Sequence, residues 1–188
     1  MTSVYLFDVM STLVYDPFYL ELPKAFGTDL ATLLSGRDRM ARVDFECGQI
    51  SEKEFIARFW QNEADGERMK ACFRTHYHWL EGIPDLLRTL RDKGHTIATA
   101  SNYPVWYEIL DAKLGLSALV DYHGVSYRFG CRKPKSEFYT QLMEQLKVEA
   151  HQCTFVDDRL ENVRAAEALG MKGHHVLEGI PLAMALSY

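Results

Sequence analysis

VYLFDVMSTLV, residues Val4 to Val14, decides how the chain is read. The apolar run Val4-Tyr5-Leu6-Phe7 is short for a helix and suits a buried strand. It closes on a single aspartate, Asp8, and the pair Ser11-Thr12 follows closely. A strand, a carboxylate and a hydroxyl-rich turn in that order present a reactive carboxylate at the carboxyl edge of a parallel sheet, where open α/β folds bind ligands. Two residues beyond Asp8, where a second carboxylate would serve acid–base chemistry, the chain has Met10.

Working outward, short apolar runs alternate with helical periods, which argues for parallel βα units. Further strands are expected at His95–Ala100, about Leu119 to Tyr127, Cys153–Val156 and His175–Leu177. Helices are expected from Pro84 to Gly94, from Pro104 to about Leu114, after Ser136 as cap, and up to Gly170. Residues 15–82 differ in character. Ser51 with Glu54 reads as a capping box ahead of the apolar residues Phe55, Ile56 and Phe59, and no strand pattern stands out. The expectation is a Rossmann-like doubly wound parallel sheet over residues 1–14 and 83–188. An all-helical cap over 15–82 is inserted after the first strand.

The chain has 188 residues, 47% hydrophobic and 25% charged, with a formal charge of −5. This suits one domain with an insertion, and it lacks the basic footprint of a nucleic-acid binder. No apolar stretch reaches the roughly 20 residues that span a bilayer. The N-terminus reads as a strand, without a targeting peptide. Cys47, Cys72, Cys131 and Cys153 show no metal-type spacing, so reduced thiols in a cytoplasm-like compartment are expected. His76 and His78 read as a helix end, and His174-His175 as structural.

Four stretches fall at successive strand ends: Asp8 with Thr12, Ser101-Asn102, Arg132-Lys133-Pro134, and Asp157-Asp158. Each alone has an ordinary structural reading as a cap, a turn or a solvated charge. Their joint placement on one rim is what such readings leave unexplained. Converging carboxylates call for a cation, and hard oxygen ligands suit Mg²⁺. A lysine and a hydroxyl opposite them would cradle a phosphoryl group. Phe18, Tyr19 and Tyr103 follow motif-bearing strand ends, where a planar flavin or nucleobase would stack.

With these motifs in order, the sequence resembles the haloacid dehalogenase superfamily across nearly its whole length. The matching pieces are Leu6-Phe7-Asp8-Val9-Met10-Ser11-Thr12, Ala98 to Asn102, Lys133-Pro134, and Phe155 to Arg159 with Asn162. The stretches DPFY from Asp16, SNYPVWYEIL from Ser101, RKPKSEFY from Arg132 and VDDRLENV from Val156 are similar to a branch that hydrolyses flavin mononucleotide (FMN). The resemblance implies a phosphatase of a small phosphorylated metabolite. Asp8 would be the nucleophile, forming an aspartyl-phosphate. Asp8, the Met10 carbonyl and Asp158 would hold Mg²⁺, with Asp157 a ligand or a partner of one. Ser101, Asn102, Lys133 and Thr12 would bind the phosphoryl group, with Phe18 and Tyr103 beside the rest of the substrate. In the family the second aspartate protonates the leaving oxygen, which Met10 cannot do. Two alternatives stay open at this point: a 2-haloacid dehalogenase, whose halide leaves without a proton, and a phosphate-binding domain without catalysis.

Overall fold

The computed structural model describes residues 3–177 together with 179, 180, 182 and 186; the other C-terminal positions of the expected core lie outside the described residues. Five parallel strands form one sheet in the order β3-β2-β1-β4-β5. They are β1 (Val4–Phe7), β2 (Thr96–Ser101), β3 (Tyr122–Val125), β4 (Cys153–Asp157) and β5 (Lys172–His175). The chain builds outward from β1 to β3, then crosses back to lay β4 on the other side of β1. The order reverses there, and such a reversal opens a crevice at the carboxyl ends of the strands. Phe7 lies level with Thr99 on one side and Val156 on the other, so Asp8, Ala100 and Asp157 share the next level.

The strands alternate between two apolar layers, as a period of two requires. Phe7 and Ile97 pack with Leu86, Leu87 and Leu90 of α6 (Ile83–Asp92) and with Leu110 of α7 (Tyr107–Leu114). Leu6, Ala98 and Phe155 pack with Phe138 and Leu142 of α9 (Ser136–Leu146) and with Val163 and Ala166 of α10 (Leu160–Ala168). Helices therefore cover both faces, as expected of a doubly wound sheet.

Between β1 and β2, before α6, the regular elements are helical. They are α1 (Glu21–Ala25), α2 (Leu30–Leu34), α3 (Arg39–Glu46), α4 (Glu52–Phe55) and α5 (Glu63–His76). Ser51 accepts from the Glu54 amide, which is half of the expected capping box; among the described residues no bond returns from the Glu54 side chain to the Ser51 amide. A π-helical turn, Ile56–Trp60, continues α4 and ends at Gln61 in the left-handed region, φ +63°. The turn buries Ile56, Phe59 and Trp60 together, which a strict 3.6-residue period would not do. The chain leaves and returns through paired segments. Tyr15 donates to the His78 carbonyl at 3.0 Å, and Leu80 donates to that of Leu13 at 2.9 Å.

Local boundaries differ from the sequence expectations. β5 spans Lys172–His175, not His175–Leu177; Gly173 packs against Val163, while Leu177 is exposed. The apolar pair Val176-Leu177 drew the reading downstream of a strand whose own residues are polar. β3 is only the Tyr122–Val125 core of its expected range. Pro104 opens a turn, its carbonyl accepting from Tyr107, where α7 begins. Lys135 occupies the cap position of α9, and the Ser136 hydroxyl turns to Glu137 instead.

Candidate active site

The apolar β1 buries its backbone between β2 and β4, and the Asp8 amide still donates to the Val156 carbonyl at 2.8 Å. The chain then turns tightly. Ser11 takes the left-handed conformation at φ +60°, and the amides of Leu13 and Val14 both donate to the Val9 carbonyl. This turn anchors Asp8 at the rim of the crevice, 8% exposed.

Lys133 meets Asp8 there. Its Nζ donates to Asp8 Oδ1 at 2.7 Å and to Asp157 Oδ2 at 2.6 Å, with the lysine only 1% exposed. Asn102, at the end of β2, fixes the lysine backbone from both sides. It donates to the Lys133 carbonyl at 3.0 Å and accepts from the Lys133 amide at 2.8 Å. Burial is the largest influence on Asp8 and pushes its carboxyl up to about 7, with Asp157 and Asp158 adding to it and Lys133 opposing. Burial also works against the Lys133 charge, but the two carboxylates outweigh it and hold the ammonium above its ordinary range.

The acidic pair at the end of β4, Asp157 within it and Asp158 just beyond, splits into two environments. Asp157 is fully buried and accepts from the Arg159 amide, from Asn162 Nδ2 through both oxygens, and from Lys133. Asp158 is half-buried and lines the cavity; burial, then the neighbouring Asp157, raises its carboxyl. One carboxylate oxygen each of Asp8, Asp157 and Asp158 lies within 4.8 Å of the others. That spacing suits a hard cation, and a cation would relieve the repulsion that raises Asp8 and Asp158. Asp157 already accepts from three donor groups, so Asp8 and Asp158 have the more open oxygens.

Asp8, Lys133, Asn102 and Asp158 line a cavity of about 110 Å³ between the sheet edge and the helices that follow β1. Asp8, Met10, Ser101, Asn102, Lys133 and Asp158 line it from the strand ends, and Phe18 and Tyr103 line it as well. Thr12 and Asp157 do not line it. Thr12 is fully buried, and its hydroxyl finds no partner among the described residues. The sequence reading missed Asp16, Arg42, Glu46, Trp106 and Arg159 as lining residues. Glu46 pairs with Arg132 at 2.8 Å and with Arg42 at 3.4 Å. Arg159 donates to the Tyr19 hydroxyl at 2.9 Å, and Arg42 lies over the Phe18 ring at 4.8 Å. Only the i, i+4 spacing of Arg42 and Glu46 and the polar start of DPFY hinted at these positions.

A buried lysine shared by two carboxylates at the carboxyl ends of β1 and β4 marks a Rossmann-like α/β protein with a charged site on the sheet's carboxyl edge. The family model that matches residues 3–170 is that of the haloacid dehalogenase-like hydrolases, and the chain belongs to that family. Flavin mononucleotide hydrolase 1 of Arabidopsis thaliana, a chloroplast protein, is 41% identical over 172 residues, 90% of this chain and 70% of the relative. A sesquiterpene phosphatase of Aspergillus oryzae is 35% identical, over 84% of this chain and 82% of the relative. Among solved structures, a haloacid dehalogenase-family enzyme of Bacteroides thetaiotaomicron with magnesium and inorganic phosphate superimposes with a TM-score of 0.77 at 18% identity. It covers 96% of this chain and 97% of the other. A chloroplast relative means that similarity does not fix the cytoplasm-like compartment expected above. All four cysteines are free, and among the described residues no helix is long and apolar enough to cross a membrane.

Proposed function

We propose that the protein is a Mg²⁺-dependent phosphatase of small phosphate monoesters, with residues 15–82 serving as a cap over the site. The carrying observation is Lys133 held between Asp8 and Asp157, with the open carboxylate of Asp158 beside them. Asp8, Asp158 and the Met10 carbonyl would hold the metal, which when bound neutralises charge on the phosphoryl oxygens. The carbonyl serves whatever side chain occupies position 10. Lys133 and Ser101 hold the phosphoryl group, and Lys133 keeps Asp8 ionised for attack on phosphorus. The P–O bond to the leaving group breaks as the Asp8 Oδ–P bond forms, and water later releases phosphate. Asn102 acts through Lys133, whose backbone it clamps, and Asp157 through the same ammonium.

The far wall favours a large apolar or planar leaving group. Phe18, Phe45, Phe55, Phe73 and Trp106 line it. The named relatives act on a flavin and on a sesquiterpene, and we take FMN as the first substrate to test. The intact Asp158 weighs against carbon–halogen cleavage, which needs no cation for a phosphoryl group. The test sets hydrolysis of FMN, sugar phosphates and pyridoxal phosphate, with and without Mg²⁺, against chloride release from a 2-haloacid. Chloride release without phosphate release would reject the proposal.

A further inference from the structure

We propose that Asp16 is the proton donor to the leaving-group oxygen, supplying from the start of the cap what Met10 cannot. The inference rests on the phosphatase reading above and goes beyond it, because it moves the acid to a position outside the strand-end motif.

Asp16 lines the same cavity as Asp8, Lys133 and Ser101. The paired segments at Leu13–Tyr15 and His78–Leu80 hold the chain immediately before it. Its Oδ1 accepts from the Phe18 amide at 2.9 Å, which fixes the carboxyl; Oδ2 takes no hydrogen bond from a described residue. One oxygen is thus anchored and the other is available. Asp16 also borders, with Ser11, Tyr19 and Asp158, a second groove of about 730 Å³. A carboxyl that faces both spaces can reload its proton from the water of either.

The charged and titratable groups around it are Arg42 on α3, Arg159 after β4, Glu46 at the end of α3, and the phenols of Tyr15, Tyr77 and Tyr103. Burial raises the Asp16 carboxyl, against the Phe18 amide and then Arg42 and Arg159, so the protonated form persists to higher pH than for an ordinary aspartate. Glu46 is the rival acid in the cavity; burial raises its carboxyl too, but Arg132 and Arg42 stand 2.8 and 3.4 Å from its oxygens and favour the charged form. Tyr103 is spent on a hydroxyl pair with Tyr77, and burial pushes it well above 10.

The proton accounting closes. As the Asp8 Oδ–P bond forms and the ester P–O bond breaks, the Asp16 proton passes to the departing oxygen and an alcohol leaves. Water then attacks phosphorus, its proton passes to the Asp16 carboxylate, the Asp8 Oδ–P bond breaks, and phosphate departs with both aspartates restored.

The experiment compares kcat/KM for an alkyl phosphate and for 4-nitrophenyl phosphate, with Mg²⁺, in the wild type and in Asp16→Asn. Asparagine keeps the acceptor for the Phe18 amide. An alkoxide needs a proton and a nitrophenolate does not, so the alkyl-to-aryl ratio should fall by about 10²-fold in the variant, the lower range of acid–base catalysis. Equal losses on both esters, or an unchanged ratio, would overturn the assignment while leaving the phosphatase reading intact. Should Asp16→Asn fail to fold, a leaving-group series on the wild type decides. A shallow dependence on leaving-group pKa supports an internal donor, and a steep one overturns it. A wild type inert toward every ester removes the phosphatase reading itself.

Discussion

Asp8 carries a conflict between stability and chemistry. The nucleophile must be ionised, yet burial and two neighbouring carboxylates favour its protonated form, and only Lys133 opposes them. The carboxyl lies at about 7 in the fold against an ordinary 3.8, so the native state binds the extra proton between those values. Its stabilising contribution is fully present below 3.8 and is lost as pH rises through about 7. Asp8→Asn keeps an acceptor for Lys133 and removes the charge. It should abolish turnover in the presence of Mg²⁺ and, with metal absent, melt above the wild type at pH 8, with the difference vanishing toward pH 4. Retained wild-type turnover would reject Asp8 as nucleophile, and a variant that melts below the wild type at pH 8 would reject the electrostatic account. Lys133→Ala should act in the opposite direction. It leaves Asp8 and Asp157 buried without their cation, and breaking such a pair costs about 3 to 5 kcal/mol. Urea denaturation at pH 8 measures this, and a loss below about 1 kcal/mol would mean that water replaces the ammonium.

At the scale of elements, the insertion touches the sheet side where no side chain can fit. Gly48 follows α3 with φ +66°, and a Cβ there would stand 2.4 Å from the Tyr127 carbonyl of α8 (Ser126–Phe129). Both the backbone conformation and the obstacle are fixed, since the obstacle is backbone. Gly48→Ala should therefore lower the melting temperature and, by lifting α3 with its Arg42 and Glu46, reduce kcat/KM for phosphate esters. A variant with unaltered melting and turnover would show that α3 and α8 are not in register in solution. The strands and the rim residues were legible in the sequence because a buried parallel strand is a continuous apolar run and its carboxyl end is marked by an abrupt polar residue, as at Phe7-Asp8 and Val156-Asp157. Lys133 could be placed on the rim, but its double pairing could not, because the partners lie 125 and 24 residues away. β5 was misplaced because an edge strand pairs through its backbone, and Lys172-Gly173-His174-His175 carries no apolar signal. The lining of the far wall was not legible either: Arg42, Glu46 and Trp106 reach the cavity only through the packing of α3 against the turn after β2.

At the scale of the molecule, the cavity and the proposed substrate do not match in size. Ligand pockets commonly measure about 300 to 1,000 Å³, whereas this one holds about 110 Å³. A space of that size suits a phosphoryl group and water, so a flavin-sized ester would need the helical segment over it to move away from the sheet. Polar bridges that cross that seam include Tyr19 to Arg159, Glu46 to Arg132, Glu52 to the Trp106 indole, Tyr77 to Tyr103, the Ser126 hydroxyl to the Glu46 carbonyl, and Lys113 to the Arg74 and Thr75 carbonyls. If the insertion moves as one body about the paired segments near Leu13 and Leu80, the bridges part together. Removing one should then loosen another on the far side of the seam. Tyr19→Phe deletes the Arg159 bond, and a hydrogen bond of this kind contributes about 0.5 to 1.5 kcal/mol net. The Trp106 indole proton, held by Glu52 at 2.8 Å, should then exchange with solvent several-fold faster, up to about tenfold. Mg²⁺ with inorganic phosphate should slow that exchange in both proteins, because a ligand that fits only the closed form draws the population toward it. Indole exchange at Trp106 that ignores both the substitution and the ligand would mean that the bridges open independently, and access for a flavin would then need a route other than opening of the cap.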